Sequence, residues 1–80
     1  MDGAFEQAKR SLALNIKRLR KEIGLSQEAL ALAADVDRTY VSQIEREVGN
    51  PSLLILCRLA AILHADLPSL LRREHDVPRT

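Results

Sequence analysis

Residues 25–47 read LSQEALALAADVDRTYVSQIERE, and this stretch decides the fold. Ser26 and Asp37 are residue types that cap helix N-termini, and each is followed by a short helical pattern. We therefore predict two helices, one over residues 27–34 and the other over residues 38–46. Because only a short break separates them, the stretch predicts a helix-turn-helix motif.

Four further positions in this stretch fit the packing and the turn conformation that such a motif requires. Ala31 is small at the point where the first helix crosses the second, and Val41 and Ile44 place apolar side chains on one face of the second helix. The turn usually holds a glycine in the left-handed conformation. Asp35 stands there instead, and we expect it to adopt that conformation, because Asp does so at lower cost than most residues.

Helix-start and helix-stop signals elsewhere in the chain predict three more helices. Apolar residues at helical spacing predict a first helix from about residue 3 to residue 23, which Gly24 ends. Pro51 is expected at the first position of a fourth helix that runs to about His64. Asp66 is expected to cap a short fifth helix, and the polar tail at residues 74–80 is expected to fray. The 80 residues thus form a single domain.

Composition excludes several classes of protein. The chain is 46% hydrophobic but only 2% aromatic, and no apolar run approaches the ~20 residues that span a bilayer. Cys57 is the single cysteine, so no disulfide forms within the chain, and we expect it to be a small buried thiol in a cytoplasmic protein. Net charge is only +1, but residues 7–21 hold several Lys and Arg and no acid. This segment is either a solvated helix face or a positive field for phosphates.

The motifs together resemble the Xre/Cro/CI family of helix-turn-helix regulators, including short restriction-modification controller proteins. The resemblance covers about residues 12–72 and rests on SQEALA at 26–31, RTYVSQIER at 38–46 and NPSLLILCRLAAIL at 50–63. It implies an all-α fold, a five-helix lambda-repressor-like DNA-binding domain. The family pattern has glycine where this chain has Glu47.

The resemblance implies that the third helix enters the major groove of double-stranded DNA with its N-terminal residues at the base edges. The matching positions are Arg38, Thr39, Ser42 and Gln43. Arg donates two hydrogen bonds to guanine, Gln pairs with adenine, and the Thr methyl meets the thymine methyl. The alternative is that these are ordinary exposed residues of a surface helix.

A second group is expected to contact the phosphate backbone, which positions a protein on DNA without specifying sequence. Its members are Gln27, Arg18, Tyr40, Arg46 and Asn50. Packing is an equal alternative for Tyr40, and a helix cap is an equal alternative for Asn50. Glu45 is expected to form a structural ion pair with Arg18 or Arg20 instead of taking part in binding.

The fourth and fifth helices carry more apolar residues than one core needs. We expect an inward stripe of Leu53, Leu56, Leu59, Ala60 and Leu63. The surplus predicts a homodimer interface formed by Leu54, Ala61, Ile62, Leu67, Leu70 and Leu71. A wider core beneath the fifth helix is the alternative. A twofold dimer would place two recognition helices about 34 Å apart on a near-palindromic operator.

The function that these patterns favour is a sequence-specific transcriptional regulator. An antitoxin or another protein-binding module is the alternative, since the last two helices would also hold a protein partner. An enzyme is not expected, because no catalytic set of residues, glycine-rich phosphate loop or metal cluster is present. His64 and His75 lack partners at metal-ligand spacing, so no metal or cofactor is predicted. We expect no small-molecule effector and no membrane partner.

Overall fold

The structure, a computed structural model, describes residues 3–73, which form five helices. They are α1 (Gly3–Ile23), α2 (Gln27–Ala34), α3 (Arg38–Glu45), α4 (Leu53–Leu63) and α5 (Leu67–Leu71). The predicted all-α, five-helix class is confirmed. No helix within residues 3–73 is long and apolar enough to cross a membrane. The predicted fraying of residues 74–80 lies outside the described residues, as does His75.

One core joins all five helices. The helix α2 packs against α3 and α4, while α1 crosses behind them and packs against α3, α4 and α5. The buried apolar side chains are Leu12, Ile16, Leu30, Ala31, Ala34, Val41, Ile44, Leu59, Ala60, Leu63 and Leu70. The predicted packing residues of the helix-turn-helix, Ala31, Val41 and Ile44, are therefore confirmed as core.

The first four helices end in the same way, with a residue in the left-handed conformation. In each case the following amide bonds back to a carbonyl in the last turn, as Val36 N does to Ala31 O at 3.0 Å. Glycine fills this position only after α1; Asp35 (φ 57°), Glu47 (φ 62°) and His64 (φ 56°) fill it after α2, α3 and α4. The prediction for Asp35 is confirmed, and Glu47 adopts the conformation that glycine provides in the family pattern.

The start of α4 differs from the prediction. Ser52, not Asn50, is the N-cap, and its hydroxyl accepts a hydrogen bond from Ile55 N at 3.1 Å. Pro51 therefore precedes the cap instead of opening the helix. The helix begins two residues later than predicted because Ser is a strong capping residue and its hydroxyl satisfies the first-turn amide of Ile55. The predicted caps Ser26, Asp37 and Asp66 are confirmed.

The short α5 is held to α1 by a buried amide. Asn15 Nδ2 donates to Leu70 O at 2.9 Å and to Arg72 O at 2.7 Å, so one side chain satisfies two carbonyls at the end of α5. This arrangement places Leu70 in the core with no exposed surface. The prediction that Leu70 belongs to a dimer interface is therefore wrong.

Candidate nucleic-acid interface

The helix α3 presents a polar arc to solvent. Its cap, Asp37, accepts a hydrogen bond from Thr39 N at 2.8 Å, and hydrogen bonding to Thr39 lowers the pKa of the Asp37 carboxyl. Val41 and Ile44 are buried on the opposite side of the helix. A helix of 3.6 residues per turn advances about 100° per residue, so the four predicted base-reading residues fall within an arc of about 140°. They are Arg38, Thr39, Ser42 and Gln43.

The residues of this arc differ in their exposure to solvent. Arg38 and Thr39 are exposed, while Ser42 and Gln43 are half-buried. The Ser42 hydroxyl accepts a hydrogen bond from Arg46 Nε at 3.3 Å, which lays the Arg46 side chain along the same face. The structure thus brings Arg46, a predicted phosphate contact, next to the predicted base contacts.

The loop after α3 closes against Gln43. Gly49 lies beside this side chain, since a Cβ on residue 49 would be 3.4 Å from Gln43 Oε1, and its φ of 81° favours glycine. Tyr40, Gln43 and Asn50 line one cavity of about 340 Å³ between α3 and the start of α4. Two predicted phosphate contacts therefore flank a predicted base contact.

A buried ion pair holds α3 to α1. Arg20 Nε and Nη2 donate to the two oxygens of Glu45 at 2.7 and 2.9 Å, and Arg20 Nη1 donates to Leu25 O at 2.9 Å. The two side chains are 10% and 2% exposed. Of the two partners anticipated for Glu45, Arg20 is the correct one. This pair fixes the rotation of α3 about its axis, and hence the direction of its polar arc.

The protonation of Glu45 follows from these contacts. Burial raises the pKa of the Glu45 carboxyl, but hydrogen bonds from Arg20 and Gln27 and the charges of Arg20 and Lys17 outweigh burial. The net direction is a lowered pKa, so Glu45 is ionised at neutral pH.

The start of α2 lies beside this pair. Gln27 Nε2 donates to Glu45 Oε1 at 3.0 Å, so the amide that is predicted to contact phosphate is oriented by a residue of α3. Ser26 Oγ accepts from Ala29 N at 3.0 Å, whereas the earlier amides of the first turn have no partner within the helix. An anion approaching this helix end would meet both the free amides and the second N–H of Gln27.

Arg18, in contrast, lies away from α3. Its guanidinium pairs with Glu22 at 3.2 Å and with Asn15 Oδ1 at 3.4 Å. About 200° of helix rotation separates Arg18 from Arg20. The structure does not bring Arg18 together with the other predicted phosphate contacts.

Sequence reasoning missed one residue that supports the motif. Arg58 of α4 donates from Nη1 to Asp35 O at 3.1 Å, which ties α4 to the turn of the helix-turn-helix. No local pattern pointed to this contact, because it joins residues that are far apart in the chain.

The exposed apolar surface of α4 and α5 differs from the predicted one. Leu54 is 59% exposed, and Ala61 and Leu71 are also exposed. Ile62 and Leu67 are half-buried against the core, so the alternative of a wider core applies to them. Two other expectations are wrong: Leu53 is 66% exposed instead of inward, and Cys57 is exposed instead of buried. Leu59, Ala60 and Leu63 are buried as expected, whereas Leu53 is the first residue of α4 and Cys57 lies about 160° around the helix from Leu59.

Within residues 3–73, no group of three or more His, Cys, Asp or Glu side chains is placed to hold a metal ion. His64 serves instead as the residue that ends α4.

Known proteins match this chain along most of its length. The family model HTH_3, described as helix-turn-helix, matches residues 16–70. Control protein C.SmaI of Serratia marcescens is 38% identical over 73 residues, which cover 91% of this chain and 87% of that protein. The crystal structure of the hypothetical transcription factor NHTF from Neisseria has a TM-score of 0.83 at 38% identity, covering 89% of this chain and 83% of that one. The restriction-modification controller protein C.AhdI from Aeromonas hydrophila has a TM-score of 0.72 at 35% identity, covering 78% and 94%.

Proposed function

The chain belongs to the helix-turn-helix family HTH_3, and we propose that it is a sequence-specific transcriptional regulator that binds double-stranded DNA as a homodimer. The observation that carries the proposal is the polar arc of α3. Its side chains point outward from a helix whose opposite face is anchored by buried Val41, Ile44 and the Arg20–Glu45 pair. Because α3 is anchored in this way, its outward side chains are held in fixed positions. This suits base recognition, since a side chain displaced by about 1 Å loses its hydrogen-bond geometry.

Within this proposal, α3 lies in the major groove with its N-terminus towards the bases. Arg38 is exposed and has no ion pair within residues 3–73, so its guanidinium is available to a guanine edge. Gln43 would pair with adenine, while Thr39 and Ser42 would contact either a thymine methyl or a base edge.

The backbone contacts of the proposal surround the arc. Gln27 and the free amides of α2 would hold one phosphate, and Arg46 would hold another. Tyr40 and Asn50 would contact the backbone from the loop side of α3, where both line the cavity next to Gln43. Asn50 is not needed as a helix cap, since Ser52 takes that role, and this leaves its amide for DNA.

The dimer of the proposal uses the exposed apolar surface of α4 and α5. Leu53, Leu54, Ala61 and Leu71 are exposed there, and we expect a twofold axis to bury them. The two copies of α3 would then be separated by about 34 Å, one turn of DNA, on a near-palindromic operator. Such a regulator would act in the cytoplasm. Its similarity to the restriction-modification controller protein C.AhdI supports a role in controlling a restriction-modification system.

The experiment that tests the proposal is selection of binding sites from random duplex DNA by the purified protein at moderate salt. We expect enrichment of a short inverted repeat with half-sites about one helical turn apart. If no sequence is enriched by the folded protein, base reading by α3 is wrong. The exposed apolar surface of α4 would then be tested against protein partners, as expected for an antitoxin.

A further inference from the structure

The helix α1 carries six cations, and three of them are already engaged in ion pairs. Lys9 pairs with Glu6 at 3.3 Å, Arg18 with Glu22 at 3.2 Å and Arg20 with Glu45 at 2.7 Å. A phosphate contact needs a cation that is both unpaired and near the surface proposed to meet DNA. Arg10, Lys17 and Lys21 take part in none of the ion pairs within residues 3–73, so the second condition has to choose among these three.

Lys17 meets both conditions. It is exposed, and none of the ion pairs within residues 3–73 involves it. It precedes Arg20 by three residues, so the two side chains lie about 60° apart on the same face of α1. Lys21, in contrast, lies about 100° from Arg20, and Arg10 lies about 15 Å from it along the helix axis. The charge of Lys17 also contributes to lowering the pKa of Glu45, which is consistent with a position beside α3.

The charge of Lys17 is surplus to the needs of the fold. Arg20 already occupies both oxygens of Glu45, and Gln27 donates to one of them, so that carboxylate is satisfied without Lys17. The N-terminus of α2, to which Gln27 belongs, adds the partial positive charge of its unpaired amides. Lys17 and this helix end therefore combine into one site for an anion.

We propose that Lys17 binds a DNA phosphate together with the N-terminus of α2, and that its neighbour Arg18 does not. The inference rests on the proposed DNA-binding function and revises which residue of α1 carries it. Arg18 lies about 100° from Lys17 and about 160° from Arg20 around α1. It donates to Asn15 Oδ1, and the Asn15 amide bonds to the end of α5.

The test is the salt dependence of binding to a short random-sequence duplex, measured for the wild type, Lys17→Ala and the matched control Arg18→Ala. Each phosphate contact contributes about 0.9 to the slope of log K against log salt concentration. We expect Lys17→Ala to lower the slope by about that amount. The ratio of wild-type to variant affinity should then shrink about 3.5-fold between about 50 and 200 mM salt.

Two further variants complete the design. Lys17→Arg should keep the wild-type slope, because it retains the charge, and Arg18→Ala should keep it because that charge lies elsewhere. Thermal unfolding should show that all variants remain folded, since both side chains are exposed.

An unchanged slope for Lys17→Ala, or an equal fall for Arg18→Ala, would overturn this inference while leaving DNA binding intact. If the wild type binds neither random nor selected DNA at any salt concentration, the proposed function and this inference both fall. The two failures are thus distinguishable by the wild-type measurement alone.

Discussion

Removing the carboxylate of Glu45 should destabilise this protein more than any surface change of similar size. Glu45→Ala leaves the Arg20 guanidinium, 10% exposed, without the partner that it now contacts at 2.7 and 2.9 Å. Breaking a buried pair by removing one partner costs about 3–5 kcal/mol, because an uncompensated charge stays buried. For a small domain stable by about 5–15 kcal/mol, this is a large fraction of the total.

The matched control is Glu22→Ala. Glu22 also pairs with an arginine of α1, but its side chain is 59% exposed and that of Arg18 is 43% exposed. Exposed pairs contribute only about 0.2–1 kcal/mol, since water solvates both charges when the pair is broken. Urea unfolding at pH 7, followed by circular dichroism, gives both free energies of unfolding. A loss below about 1 kcal/mol for Glu45→Ala would refute the reasoning that burial of Arg20 makes this pair important.

A second variant keeps the measurement informative if Glu45→Ala does not fold. Glu45→Gln preserves the shape and one hydrogen-bond acceptor but not the charge, so we expect a smaller loss. Replacing both partners, as in Arg20→Met with Glu45→Leu, should recover much of the stability lost by Glu45→Ala, because no buried charge remains.

The lowered pKa of Glu45 determines how the free energy of unfolding should depend on pH. The pKa of Glu45 is lower in the folded protein than in the unfolded chain, where Glu titrates near about 4.3. The stabilisation is therefore fully present above the unfolded pKa and is lost as the pH falls through the folded pKa. The difference between wild type and Glu45→Gln should be constant above about pH 5.5 and should shrink on acidification. A difference that grows towards acid would contradict the assigned direction.

The remaining predictions concern residues outside this pair. Glu47→Gly should raise the free energy of unfolding by about 1 kcal/mol, because φ is 62° there, while Glu47→Ala, which keeps a Cβ, should not. Arg38→Ala should weaken binding to the selected site by about 1–3 kcal/mol and relax preference at one base pair. Equal loss on random DNA would argue against base reading. If the proposed dimer forms, Leu54→Lys should shift the protein towards monomer in sedimentation, while Leu32→Lys, at a position 82% exposed on α2, should leave the proposed dimer intact. Leu70→Ala should cost about 2–5 kcal/mol in urea unfolding, as expected of a core residue.

Local chemistry explains why much of this fold was predictable from the chain alone. Caps at Ser26, Asp37 and Asp66 act on amides two or three residues away, so their effect is visible in a short stretch of sequence. The left-handed turn at Asp35 is equally local. These features determined the helix-turn-helix, and the four positions of the polar arc on α3 follow from helical periodicity.

Tertiary packing decided what local chemistry could not. Whether Glu45 meets Arg18 or Arg20 depends on how α1 crosses α3, and the outcome determines which cations of α1 remain unpaired. Leu70 became core because Asn15 draws the end of α5 onto α1. Apolar residues in a helix carry no mark that separates a core position from an interface position, since both bury the same surface. Only the packing of α4 and α5 against α1 decides which of those surfaces remains exposed.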